Sequence, residues 1–224
     1  MDIQTKPTTQ ARSEETKQRL LDAAVELFGT YGFDAVTTRR LTQEAKVNQV
    51  AIPYHFGGKE GLYIAVAEHI VDRIRRQVAP ALVELVDAET ARMDPDGARR
   101  VLKEVLGRLA SLLVGANEAE HWARFILREQ MDPSPAFDVL YEGVFDTIVQ
   151  SVLRLCAIAT GGQVTDPDLK LRVITIIGQI VVFRAARSAV LRTMDWSNVG
   201  AAEVQAINRI IGANVDAMLT EPMS

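Results

Sequence analysis

Between Thr37 and Lys59 the chain collects side chains suited to gripping a nucleic-acid backbone and reading base edges. Four cations, Arg39, Arg40, Lys46 and Lys59, stand there against Glu44 alone. Arg39 can reach a phosphate, or fork onto the paired acceptors of a guanine edge. Thr38 at a helix start offers a hydroxyl and free amides to a phosphate, and Lys59 offers its charge at the start of another. Gln49 has the amide to pair with adenine, while Val50 and Ala51 have methyl groups to set against thymine. Tyr54 can place a hydroxyl on a phosphate. An isolated basic cluster is more often a solvated face, so the elements that carry these residues must decide.

Those elements are two short helices around a tight turn, with a third helix directly after. Thr37 or Thr38 can cap the first, over Thr38 to Ala45, with Leu41 and Ala45 four apart on one face. Val47 fills the turn. Asn48 is a natural cap for the second, which puts Gln49, Val50 and Ala51 in its first turn and Ile52 and Phe56 on its inner face. Helices this small cannot form a core alone; they fit a helix-turn-helix whose second helix enters the major groove. Upstream, Ser13 caps a helix to Tyr31 with Leu20, Leu21, Ala24, Leu27, Phe28 and Tyr31 on one stripe, closed by Gly32. Downstream, Lys59 opens a longer helix with Leu62, Tyr63, Val66, Ala67, Ile70 and Ile74 inward, expected to end or kink at Pro80.

The LFGTYGFDAVTTRRL run, the A-x-V-N turn and the YHFGGKEGLY end together resemble the DNA-binding domain of the TetR family of bacterial regulators. The resemblance implies that His55 contacts the DNA backbone or a base. It also implies operator DNA as partner, a homodimer, a small-molecule effector of unknown identity and, for most relatives, repression. Two positions depart from the family pattern. Lys46 occupies a turn position where glycine is common, so its backbone must be accommodated without one. Pro53 stands where an aromatic residue often reaches a phosphate. At the fifth helical position it also removes an amide bond, which predicts a short or bent recognition helix.

The chain has 224 residues and a formal net charge of −4, so attraction to nucleic acid is local, not global. Cys156 is the single cysteine; intrachain disulfides are excluded, a reducing cytoplasm is expected, and LRLCAIA suggests inert packing. The polar N-terminus has no signal-peptide core. The most apolar run, Val173 to Phe183, is bounded by arginines and too short to span a bilayer.

The predicted fold is all-α: a flexible arm over 1–12, a helix-turn-helix DNA-binding domain over 13–58, and a larger helical ligand-binding and dimerisation domain over 59–224. Helical candidates follow at 81–91, 98–114, 119–131, 135–159, 167–194 and 201–219, parted by turn-formers such as GANE, DPSP, TGGQVTDPD and DWSNVG. VITIIGQIVVF is apolar almost all round, which requires burial on two sides. The last helix, with Val204, Ile207, Ile210, Ile211, Val215 and Leu219, offers a second apolar stripe, and in the TetR family such a pair forms a four-helix dimer interface. A central core helix in a monomer is the alternative.

HWARFILREQ followed by DPSPAF, and GQIVVFRAARSAVLR, are similar to the CecR-like branch of that family. Trp122, Phe125, Arg128, Gln179, Phe183 and Arg187 are candidate pocket residues, although aromatic residues at helical spacing are usually core. No catalytic constellation, metal-ligand spacing or cofactor motif is present: His55, His69 and His121 are scattered, and the acidic pairs sit at helix starts. A helical ligand-carrier or protein-docking module with idle DNA-binding helices is the rival reading.

Overall fold

The computed structural model describes residues 9–87, 93–115 and 119–220, and every regular element among them is helical. The helices are α1 (Thr9–Tyr31), α2 (Thr38–Ala45), α3 (Ala51–Phe56), α4 (Lys59–Asp87), α5 (Pro95–Ala110), α6 (Ala119–Met131), α7 (Pro135–Leu140), α8 (Asp146–Thr160), α9 (Pro167–Ala185), α10 (Arg187–Thr193) and α11 (Ala201–Thr220). One π-helical turn, Ser111–Gly115, extends α5, and another, Tyr141–Phe145, joins α7 to α8.

Several expected boundaries move. Of the arm expected over 1–12, Thr9 onward is already helical, so Ser13 is not a cap; residues 1–8 lie outside the described residues. Pro80 does not end α4, which continues through it to Asp87. A single proline forfeits one amide donor, and a long helix held by flanking turns tolerates that loss. The end of the 81–91 candidate, and most of the GANE separator, fall outside the described residues. The predicted 167–194 helix is two, α9 and α10, bent by 79°. The break falls at Ala186, whose φ of −101° and ψ of 27° leave the helical region.

The chain divides into two compact units. The first contains the described residues up to Asp72 together with His121–Leu140; the second contains Arg73–Glu120 and the chain from Tyr141. The expected boundary after residue 58 is therefore not a break in packing. The first unit is bound by an aromatic cluster in which Tyr63 of α4 meets Phe28 at 4.9 Å, Phe33 at 5.0 Å and Phe125 of α6 at 4.7 Å. Phe28 and Phe125 are fully buried, so α6 belongs to the core that supports the helix-turn-helix. Edge-on rings at these separations add to their area burial.

The second unit is a helical bundle. Asp94 and Asp166 cap α5 and α9, accepting from the amides of Gly97 at 2.7 Å and Asp168 at 2.9 Å, and a proline follows each cap. Leu102 and Leu106 of α5, Leu155 and Cys156 of α8, and Leu169, Ile176 and Ile180 of α9 form its interior. Arg99 donates to the carbonyls of Ala159 and Leu219, tying the ends of α8 and α11 together. The stretch Pro135–Thr160 has the length and apolarity of a membrane span, yet α8 within it buries Val152, Leu153 and Leu155 in the bundle.

Candidate nucleic-acid interface

Thr37, not Thr38, caps α2: its hydroxyl accepts from the Arg40 amide at 3.2 Å. Leu41, Thr42 and Ala45 turn inward, and Thr38, Arg39 and Arg40 turn out. The turn then passes through Lys46 at φ 52° and ψ 47°, the left-handed region. A lysine there is strained by its Cβ. Three hydrogen bonds hold it: its own amide reaches the Gln43 carbonyl at 3.2 Å, the amide of Val47 reaches the Thr42 carbonyl at 3.0 Å, and Arg19 of α1 donates to the Lys46 carbonyl at 3.0 Å.

Asn48 does not cap the second helix as expected: its carboxamide oxygen accepts from the Val50 amide at 3.1 Å, within the turn, and Val50, which precedes the helix, makes no side-chain cap. The regular helix starts only at Ala51, so Gln49 and Val50 belong to the turn that leads in. This later start removes the difficulty expected of Pro53. It stands at the third helical position, where an amide has no partner within the helix. The helix is short, six residues, but Pro53 does not break it, and Tyr54 still donates to the Val50 carbonyl at 3.1 Å. Gly57 closes it at φ 75°.

The outward face is compact. Val50 is 67% exposed and Tyr54 79%, with Gln49 and Pro53 exposed beside them at the same four-residue spacing. Ala51 does not face outward as expected: at 8% exposure its methyl packs inward with Ile52, away from any base edge. His55 is half-buried, its ring edge-on to Tyr54 at 4.9 Å. Lys59 is less free than its position suggests, because its ammonium lies 4.0 Å over the Phe33 ring. Arg40, exposed like Arg39, is held 3.9 Å over the ring of Tyr31, which at 47% exposure leaves the inward stripe expected of it, so Arg39 is the exposed guanidinium not stacked on a ring.

Of the six pocket candidates, Trp122, Phe125 and Arg128 belong to the first unit, whereas Gln179, Phe183 and Arg187 belong to the second. Trp122 at 5% and Phe125 at 0% exposure are core. Arg128 lines a cleft in the first unit. Gln179 accepts from Asn214 at 2.8 Å, and Arg187 donates to Asn198. What sequence reasoning missed is the network below Tyr63. Its hydroxyl donates to Glu129 at 2.5 Å, and the amide and hydroxyl of Ser134 donate to the other carboxylate oxygen at 3.0 and 2.8 Å. Glu129 sits between an arginine and a glutamine in sequence and looks like a surface residue; only its place four residues after the core Phe125 hints otherwise.

Two small helices held at a fixed turn, with a polar and aromatic face outward and a buried scaffold behind, define a helix-turn-helix transcriptional regulator. Residues 20–66 match the tetR family of bacterial regulatory proteins, and residues 98–221 match the C-terminal domain of the HTH-type transcriptional dual regulator CecR. The chain belongs to the TetR family, with a CecR-type C-terminal domain. It is 31% identical over 216 residues to the dual regulator CecR of Shigella flexneri, covering 95% of each chain. It is 35% identical over 80 residues to the transcriptional repressor NicS of Pseudomonas putida, covering 36% of this chain and 38% of that one. A TetR-like regulator from Rhodococcus sp. RHA1 shares the fold at a TM-score of 0.64 and 16% identity, over 96% of this chain and 98% of the other. Mycobacterium smegmatis AmtR does so at 0.58 and 20%, over 100% and 92%.

Proposed function

We propose that the chain is a cytoplasmic homodimeric repressor that binds two operator half-sites and is released by a small molecule. The observation that carries this is the exposed face of Gln49, Val50 and Tyr54, fixed from behind by the Arg19 contact to the Lys46 carbonyl. Gln49 and Val50 read base edges, Gln49 favouring adenine and Val50 a thymine methyl. Thr38, Arg39 and Tyr54 grip phosphates, with His55 and Lys59 beside them at the helix end.

Dimerisation rests on α9. One of its faces, Leu169, Val173, Ile176 and Ile180, is buried, while Leu171, Ile174 and Val182 on the other are 62, 61 and 50% exposed. Ile210 of α11 adds 53% exposure. A two-fold seam over these residues sets two recognition elements at one separation, as half-sites about 34–36 Å apart demand. The effector acts by preferring the dimer with the wrong separation; a nearly complete switch needs about 10⁴-fold preference. Gln179, Phe183 and Arg187 are the pocket residues proposed in the second unit.

The test is selection of bound fragments from the source genome, followed by titration of the recovered duplex over a range of salt. Specific binding weakens steeply with ionic strength, by a slope of about −0.9 per neutralised phosphate. Gln49→Ala should change which sequences are preferred, while Tyr54→Phe should weaken binding to all of them alike. If no duplex is preferred even at low ionic strength, the proposal fails.

A further inference from the structure

The first unit contains a cleft of about 990 Å³ whose floor carries Glu129, only 2% exposed. All three groups that reach this carboxylate are neutral donors, the Tyr63 hydroxyl and the amide and hydroxyl of Ser134. Among the described residues no cationic side chain pairs with it. A carboxylate removed from water without a counter-charge is held at a cost, and it is relieved when a cation arrives. One carboxylate oxygen accepts a single hydrogen bond, which leaves it a lone pair for another donor.

The surroundings favour a cation further. Asp34, Glu60 and Asp132 also line the cleft, giving four carboxylates with Glu129 against the guanidiniums of Arg124 and Arg128. The Arg128 guanidinium packs on Gly32, 2.9 Å from where a Cβ would stand there, instead of on Glu129. Ile64, Leu127 and Met131 supply an apolar wall, of which Met131 is 88% exposed.

We propose that this cleft binds a small organic cation, a protonated amine on an apolar body. The ammonium donates to Glu129, and the body lies against Ile64, Leu127 and Met131. The binding stands on the cleft alone. Its consequence rests on the operator-binding reading: the cleft is built from the end of α1, the start of α4 and the end of α6, so an occupant acts on the helices that brace the recognition element.

The experiment is calorimetric titration of the full-length protein, without DNA, by a series of phenylalkylammonium ions of increasing spacer length. The matching neutral alcohols and carboxylates serve as controls. The amines should bind at least about tenfold more tightly than the alcohols, as a charge-assisted hydrogen bond requires, and the carboxylates should not bind. Glu129→Gln should weaken the amines about tenfold or more, and Ile64→Trp, which plugs the cleft, should abolish binding. Should Glu129→Gln fail to fold in a thermal melt, the amine-to-alcohol ratio and Ile64→Trp decide. Equal binding of amine and alcohol, no binding by any amine, or full amine affinity in Ile64→Trp would overturn the site. Amine binding that leaves operator affinity unchanged overturns its regulatory consequence only, and operator binding without amine binding overturns the site while sparing the repressor.

Discussion

The backbone carbonyl oxygen of Phe56 stands 1.8 Å from the point where a Cβ on Gly61 would fall. The end of the recognition helix and the first turn of α4 therefore touch through backbone, and a side chain at position 61 must drive them apart. Gly61→Ala should displace the recognition helix while leaving the long helices intact. Overpacking of this kind costs about 1–3 kcal/mol. Operator affinity, measured by fluorescence anisotropy, should fall at least about tenfold with the far-ultraviolet dichroism retained. Parental affinity in this variant would mean that the contact does not set the helix.

Tyr63 gives the first unit a pH dependence at the alkaline end. Burial, then the hydrogen bond to Glu129 and its negative charge, raise the phenol above its ordinary value. The folded state thus holds Tyr63 neutral, while the unfolded chain ionises it near about pH 10. Its contribution is complete below that pH and is lost as the pH climbs beyond it. The buried Cys156 thiol, pushed up to about 12 by desolvation, acts in the same sense. Tyr63→Phe should lower stability at neutral pH by about 1–3 kcal/mol, since it takes a donor from a buried carboxylate. It should also flatten, without abolishing, the fall in stability above pH 10, followed by urea denaturation. An unchanged alkaline slope would show that Tyr63 ionises freely.

Lys46 sits where its Cβ is unwelcome, and its side chain has no role in holding the turn. The contact from Arg19 goes to the Lys46 carbonyl, which glycine would keep. Lys46→Gly should relieve left-handed strain of about 1 kcal/mol, less the entropy a glycine loses on folding. The melting temperature should rise by about 1–3 °C in scanning calorimetry. The same change deletes a cation beside the recognition element, so the salt slope of operator binding should shrink by about one phosphate if Lys46 reaches DNA. A lower melting temperature would mean that the lysine stem packs usefully.

How much of this was visible in the sequence depends on the range of the interaction. Periodicity located α2 and α6 to the residue, because caps and apolar stripes act within one or two turns. The glycine-like demand at Lys46 is legible in the turn pattern and is met by a left-handed backbone, again a local matter. The second helix is short, as expected, but Pro53 stands at its third position and not its fifth, because Asn48 opens a turn before it. The bend at Ala186 was out of reach because packing against neighbours, not local propensity, decides whether a long apolar helix continues. Ala51 faces outward only in a helix that starts at Gln49, and a shift of the start to Ala51 rotates every side chain. Glu129 and the division of the pocket candidates between two units were out of reach, since both arise from α6 packing with α1 and α4 across a gap of many residues.

The exposed face of α9 supports the last prediction. Leu171, Ile174 and Val182 lie three to eleven residues apart on one side, and nothing would meet a Cβ on Gly178 between them. Open space beside a glycine on an apolar helix face lets a second helix approach closely. Leaving three large aliphatic chains half or more in water forgoes about 1 kcal/mol or more each, which a partner copy would recover. Ile174→Glu puts a carboxylate at the centre of that seam and faces it with its own symmetry mate, so repulsion adds to the lost burial. The variant should sediment as a monomer at concentrations where the parent is a dimer, and its operator affinity should drop by orders of magnitude because one half-site is gripped at a time. Ile210→Glu on α11 should do the same more weakly. Val164→Glu, exposed in the loop before α9, should leave both properties unchanged. A dimeric Ile174→Glu would move the seam elsewhere, and a monomeric parent would remove the basis for two half-sites altogether.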